Sequence, residues 1–387
     1  MGTVFKVMLS IPGTPAIRRT NDTVYQTISY LSMILICNML KFNWVLTLSM
    51  NTQKLKKLWK AAAMLWVLVG LSNGYPGILT PAYADNSPRT AWGDPDLQGI
   101  WTTATATPLE RPEEHADQPF LTERESALRE KSSQAVVKTG APTPARARLS
   151  GAAWFDLASV PLPGRPASMI VEPPDGRIPW KAAAKAKSDR DQAHTGVGPY
   201  HSYLDLDTGE RCISDGVTMV PLWVYNNNYQ IFQTQDHIAI LHEMYHEYRI
   251  IPLDGRPHID AAIGQWQGDS RGHWEGETLV IETRGYAAKG HYYWAWPWRA
   301  ARPTLHLTER LTRVDETTID YRFTIEDPTM FTEPWTALIP MTNDHKARGL
   351  TSGPLYEFAC HEGNYAIPNI LKANQVQEGE TGNTGAN

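Results

Sequence analysis

From Asn228 onward the chain alternates apolar and polar residues in short runs separated by turns, and that pattern leaves few folds open to it. Asn228 to Thr234 is one run, closed by Gln235-Asp236, and Ile238 to Leu253 is a long one, closed by Asp254-Gly255. Gln265 to Trp274 and Glu277 to Arg284 flank the turn Glu275-Gly276. Leu305 to Val314, Thr318 to Glu326, Phe331 to Met341 and Leu355 to His361 complete the series. Period-two runs bounded by turn residues, with no helical period between them, predict antiparallel strands. A long meander of such strands hides its edges by closing on itself. The expected fold is mainly β, an antiparallel meander closing into a barrel over residues 201–371, with a β-sandwich as the alternative.

Residues 85–200 read as an irregular N-terminal wrap. The stretch 85–120 is rich in Pro, Gly, Thr and Asp, with Trp92 and Trp101 as anchors. Thr122-Glu123-Arg124-Glu125 is a capping-box pattern and predicts one helix over about 123–137. Residues 138–200 hold many Pro, Gly and Ala with no sustained period. The tail 372–387 lacks apolar residues from Gln375 and is expected to be disordered.

Ahead of the wrap, Met50 to Ala84 reads as a secretory signal peptide. Lys54, Lys56, Lys57 and Lys60 precede an apolar run from Ala61 to Leu71, and Ala82-Tyr83-Ala84 gives a small-x-small cleavage site. The run is short against the roughly 20 residues of a membrane span. Cleavage after Ala84 implies a periplasmic or secreted protein with no stable membrane span. Residues 1–49 then read as a start-site artefact or a removed leader, with a signal-anchor over 27–50 as the competing idea. Cys37 falls in that leader, and the remaining pair, Cys212 and Cys360, is a disulfide candidate in an oxidising compartment. The formal net charge is −5, with no basic run after Lys60, which argues against nucleic acid as a partner.

Strand parity sorts the side chains. Ile319, Tyr321, Phe323 and Ile325 share one face, and Leu305, Leu307 and Leu311 share another with Glu309 and Arg313. Phe331, Trp335 and Ile339 share a face with Glu333. On the long run, Ile238, Ile240, Met244 and Ile250 go with His242 and His246, while Glu243, Glu247 and Arg249 face away. The proposed lumen therefore holds Glu309, Glu333, His242 and His246 among oily neighbours. Burial shifts carboxylate and imidazole pKa values in opposite directions, which is one way sites assemble an acid and a base. The bland alternative pairs Glu309 with Arg313 and makes each His a satisfied core residue.

His242-Glu243-Met244-Tyr245-His246 matches the HExxH zinc-protease string, but that chemistry needs a helix and the flanks here read as strand. No resident cofactor is expected; the metal alternative is a divalent ion on His242, His246 and Glu309. Gln267, Asp269, Arg271 and His273 alternate along another run, where Arg271 oriented by Asp269 makes an anion or carbonyl clamp, or the face is simply solvated. His361, in Cys360-His361-Glu362-Gly363-Asn364-Tyr365, is a further acid/base candidate. The connection from Arg284 to Leu305 carries Tyr286, Tyr292, Tyr293, Trp294, Trp296 and Trp298. It is expected to form a lid over the barrel mouth or a contact to a second subunit. Tyr225 and Tyr229 join Trp294, Trp296 and Trp335 as ligand-stacking candidates.

Several strings resemble a large family of exported bacterial proteins without assigned activity. They are Asp94 to Trp101, Ile170 to Pro179, Tyr225 to Tyr229, Gly268 to Gly276 and Tyr356 to Tyr365, and the resemblance spans about residues 92–370. It implies export and a lipocalin-like barrel, and it carries over no catalytic residue. The first His of the HExxH string and the Trp-rich connection look particular to this chain, which moves the emphasis to His246, Asp269 and Arg271.

The function expected from the sequence is an exported small-molecule enzyme acting by acid/base chemistry, as a lyase, isomerase or hydrolase, on an apolar, aromatic or glycosidic substrate. His246 would serve as base or acid with Glu309 as partner, and Arg271 with Asp269 as the clamp. No nucleotide loop or nucleophile elbow is visible. The rivals are a non-catalytic periplasmic carrier of a lipophilic ligand and a cell-envelope interaction module.

Overall fold

The computed structural model describes residues 88–139, 159–194, 198–214, 216, 217, 219, 226–288, 297–348 and 353–383. Residues 1–84, with the leader read there, and Tyr225, Trp294 and Trp296 lie outside the described residues. Ten strands run β1 Gly99–Thr102, β2 Ile170–Glu172, β3 Asn228–Gln233, β4 His237–His242 and β5 Tyr248–Pro252, followed by β6 Asp269–Glu275, β7 Thr278–Arg284, β8 His306–Arg313, β9 Thr318–Glu326 and β10 Trp335–Thr342. Among the described residues three α-helices accompany them: α1 Glu123–Thr139, α2 Ala182–His194 and α3 Ala366–Asn383.

Nine strands make one sheet in the order β5-β4-β3-β1-β10-β9-β8-β7-β6, and β2 pairs with β10 off this path. Every ladder is antiparallel. The sheet curls into a nearly closed barrel that brings β5 beside β6, so the barrel expectation holds and the sandwich does not. Chain direction reverses at each of those ladders, so the two end strands run the same way and share side-chain contacts without a ladder. At this seam Gly272 is required: a Cβ there would lie 2.6 Å from Leu253 Cδ2 and 2.9 Å from Ile251 Cγ2. Gln267 Nε2 also reaches across to Glu247 Oε1 at 2.5 Å.

The parity reading holds on β8, β9 and β10. Leu307, Glu309, Leu311, Tyr321, Phe323, Ile325, Trp335, Ile339 and Met341 are all buried. Aromatic rings fill much of this interior. Trp298 stacks on Phe323 at 6.0 Å, and Trp335 meets Trp298 edge-on at 5.1 Å and Phe323 at 5.6 Å.

Parity fails on the long run. Ile238 to Leu253 is two strands, β4 and β5, joined by a short 3-10 turn over Met244–His246. Tyr245 and His246 both have left-handed φ there, 57° and 54°. The turn resets the alternation, so Arg249 and Ile251 face inward while Tyr248 and Ile250 are exposed. His242 and His246 therefore do not share a strand face.

Other expectations change too. The entry segment is no mere wrap, because Gly99–Thr102 inserts as β1 between β3 and β10 with Trp101 fully buried. Trp92 is exposed and donates to Asp94 instead of anchoring. The Thr122–Glu125 capping box forms: Glu125 accepts from Thr122 N at 2.8 Å and Thr122 Oγ1 from Glu125 N at 3.3 Å. Residues 355–361 contain no strand, and the tail expected to be disordered is helical through Asn383 as α3. The disulfide Cys212–Cys360 is present, tying the segment before β3 to the loop before α3 instead of to a last strand. No described helix is long and apolar enough to cross a membrane.

Candidate functional site

The barrel interior gathers ionisable groups from several elements. Glu309 on β8 is fully buried and receives both Nη1 and Nη2 of Arg249 on β5, the latter at 3.0 Å from Oε1. Tyr321 on β9 donates its hydroxyl to the same oxygen at 2.8 Å, and that hydroxyl accepts from Met219 N at 3.3 Å. A two-pronged guanidinium–carboxylate pair is the strong form of this interaction. Burial opposes the Arg249 charge, but the field and hydrogen bonds of Glu309 outweigh it and raise its pKa. Burial, then the Glu309 charge, pushes Tyr321 well above an ordinary phenol. The carboxylate thus pairs with Arg249, not Arg313. Arg313 binds backbone carbonyls of Asp315 and Glu316 and lies over the Trp101 ring at 4.8 Å.

His242 ends β4 inside the same electrostatic neighbourhood. Burial, then the charges of Arg249 and Arg299, lowers its pKa well below the usual imidazole value, so it is neutral at neutral pH. Tyr229 on β3 meets its ring edge-on at 4.9 Å. His242 Nε2 and Arg249 Nε are buried without a hydrogen-bond partner. Tyr286 closes the group from just past β7: burial is the main cause of its raised pKa, Arg249 and Glu309 act on it next, and Thr283 is its polar neighbour. Its ring fits because Gly268, at φ +68°, has no side chain; a Cβ there would come within 2.9 Å of Tyr286 Cε1.

The structure separates the remaining expected site residues from this group. His246 is half-buried in the β4–β5 turn, where its Nε2 lies 3.4 Å from the Tyr248 hydroxyl, and no contact joins it to Glu309. The acid/base pair read from parity is therefore not assembled, and neither is the alternative metal set His242, His246 and Glu309. Among the described residues no three His, Cys, Asp or Glu side chains are placed to share a metal ion. Glu333 is exposed ahead of β10, and His361 is exposed in the loop before α3. Trp335 is a core residue. Of the Trp-rich connection, Tyr286 and Trp298 are buried against the barrel interior, and Tyr292, Tyr293, Trp294 and Trp296 lie outside the described residues.

Asp269 and Arg271 do meet, at 2.7 Å. Arg271 is not a free clamp, however. Its Nε and Nη2 donate to the Pro257 carbonyl at 3.1 and 3.0 Å, and its Nη1 to the Ser270 carbonyl at 2.7 Å. The second Asp269 oxygen takes His258 Nδ1 at 2.8 Å and Ile259 N at 3.0 Å, leaving His258 Nε2 buried without a partner. His258 was missed because it sits in a loop with no period to place it. Arg249 was missed because parity pointed it outward. Searches of protein-family models, of curated proteins and of solved structures found no match to this chain.

Proposed function

We propose that this chain is an exported ligand-binding barrel, which holds a small, largely apolar molecule by one polar group against His242 and Arg249. The observation that carries this reading is the neutral His242 imidazole and the Arg249 guanidinium side by side in an aromatic interior, each with a buried nitrogen that lacks a partner. Buried polar atoms in folded proteins nearly always find one, and leaving them unmet costs stability. A ligand acceptor or donor at that point supplies it, while Trp, Tyr and aliphatic side chains take the apolar body. Glu309 keeps Arg249 oriented; its oxygens serve Arg249 and Tyr321, which suits anchoring better than proton transfer. The Cys212–Cys360 bridge supports an oxidising compartment, in line with cleavage near Ala84.

Untargeted mass spectrometry of the organic extract of native protein tests the binding reading, together with titration of the hydrophobic fluorophore 1-anilinonaphthalene-8-sulfonate. A co-purifying small molecule and saturable probe binding are expected, with His242→Leu weakening retention of that molecule about tenfold, the value of one good hydrogen bond. No extractable molecule and no saturable probe site would overturn it. Sequencing of the native N-terminus should begin at Asp85; a start well upstream removes export.

An enzymatic reading is favoured by one feature, His258. Asp269 fixes its Nδ1 and leaves Nε2 for a proton, the arrangement of a general base. Conversion of the co-purifying molecule by wild type but not by His258→Gln, with affinity unchanged, would select this reading over a carrier.

A further inference from the structure

A second pair of buried basic side chains lies on the turn that follows β10. Residues His345–Arg348 form a 3-10 turn. In such a turn positions i and i+3 eclipse, so His345 and Arg348 project from one side. Both are buried, at 6% and 4% exposure, while Lys346 and Ala347 face solvent. Arg348 Nη2 donates to the Pro340 carbonyl on β10 at 2.7 Å. Its Nη1 has no hydrogen-bond partner, and neither does His345 Nε2.

Among the described residues no carboxylate pairs with the guanidinium. Burial alone draws the Arg348 pKa down to about 10, still far above neutrality, so the group stays charged. Burial also lowers His345, against the opposing charge of Asp344. Asp344 is exposed and accepts at Oδ1 from Ala347 N at 3.2 Å. A buried charge without a counter-ion is among the least favourable arrangements a fold can carry. The Arg249–Glu309 pair shows how this same chain neutralises a buried guanidinium when it supplies the partner itself.

We propose that His345 and Arg348 form a binding site for a small oxyanion, a carboxylate or a phosphate group. One oxygen takes Arg348 Nη1, a second takes His345 Nε2 in the tautomer that carries its proton there, and the anion balances the guanidinium. The Pro340 carbonyl holds the other arm of the fork and fixes its plane, which favours a planar or tetrahedral oxyanion over chloride.

Thermal unfolding of the mature chain at neutral pH tests the site, with sodium phosphate or sodium acetate replacing sodium chloride at constant ionic strength. A saturable rise in Tm of several degrees with one of the two oxyanions is expected, and the arm that responds identifies the chemistry. Arg348→Gln should abolish the rise, and His345→Gln should raise the half-saturating concentration several-fold. If Arg348→Gln does not fold, the His345→Gln shift alone decides the matter. Equal Tm in all three salts overturns the proposal, as does a full response in Arg348→Gln or an unchanged midpoint in His345→Gln.

Discussion

Replacing Arg249 by Met strands the Glu309 carboxylate inside the barrel. Arg249 is 5% exposed and Glu309 fully buried, and the variant keeps only the Tyr321 hydroxyl as a donor to that carboxylate. Breaking a buried pair from one side costs about 3–5 kcal/mol, most of it the penalty of the remaining charge. The double variant Arg249→Met/Glu309→Leu removes that charge. Tyr321 then loses its acceptor, a loss of about 1 kcal/mol, though its hydroxyl still accepts from Met219 N. The double variant should therefore lie within about 1–2 kcal/mol of wild type, well above the single. Urea unfolding followed by tryptophan emission reads this directly, since Trp101, Trp298 and Trp335 are buried in the folded core. With a slope near 3 kcal/mol per molar, the single variant's midpoint should fall by roughly 1–2 M. A single variant within error of wild type, or a double no better than the single, refutes the view that this pair is a desolvated structural anchor.

Other outcomes can be checked alongside. The His242 imidazole has a folded-state pKa far below its unfolded value of about 6.5, so below that pH the unfolded chain binds the extra proton and stability falls by up to about 1.4 kcal/mol per pH unit. His345 acts in the same direction, and in His242→Leu the slope between roughly pH 6.5 and 5 should shrink but not vanish. Reducing Cys212–Cys360, which closes a separation of 148 residues, should cost about 2–5 kcal/mol in urea, the loop-closure limit being near 5. Gly272→Val should destabilise by about 1–3 kcal/mol by forcing β6 away from Ile251 and Leu253, which urea unfolding reads as a lowered midpoint.

The barrel and much of its interior were legible because period-two alternation on β8, β9 and β10 survives intact from sequence to structure. Glu309 could be placed inside on that basis alone, and His242 by the alternation of its own run before the turn. Legibility ended at residues 243–247, where the chain turns without Gly or Pro. Tyr245 and His246 adopt left-handed φ against their own preference, so no punctuation marked the turn and the period was carried straight through it. That one slip turned Arg249 outward and brought His246 inward. β1 was hidden because four residues, Gly-Ile-Trp-Thr, are too few to establish a period. α2 did carry a signal that parity reading passes over: an Ala- and Lys-rich run with Lys185–Asp189 and Lys187–Asp191 pairs at helical spacing. The His258–Asp269 and Arg348–Pro340 contacts join loops to strands, and nothing in local spacing announces them.

An odd count of strands has a mechanical meaning for this wall. The other boundaries around the cylinder carry main-chain ladders, several pairs long between most neighbours and a single pair, Thr102 with Thr342, between β1 and β10. Between β5 and β6 only interlocked side chains and the Gln267–Glu247 clasp must give way. Among the described strands, that boundary alone can part without breaking a main-chain ladder, so its hold on the cylinder is a matter of side-chain fit.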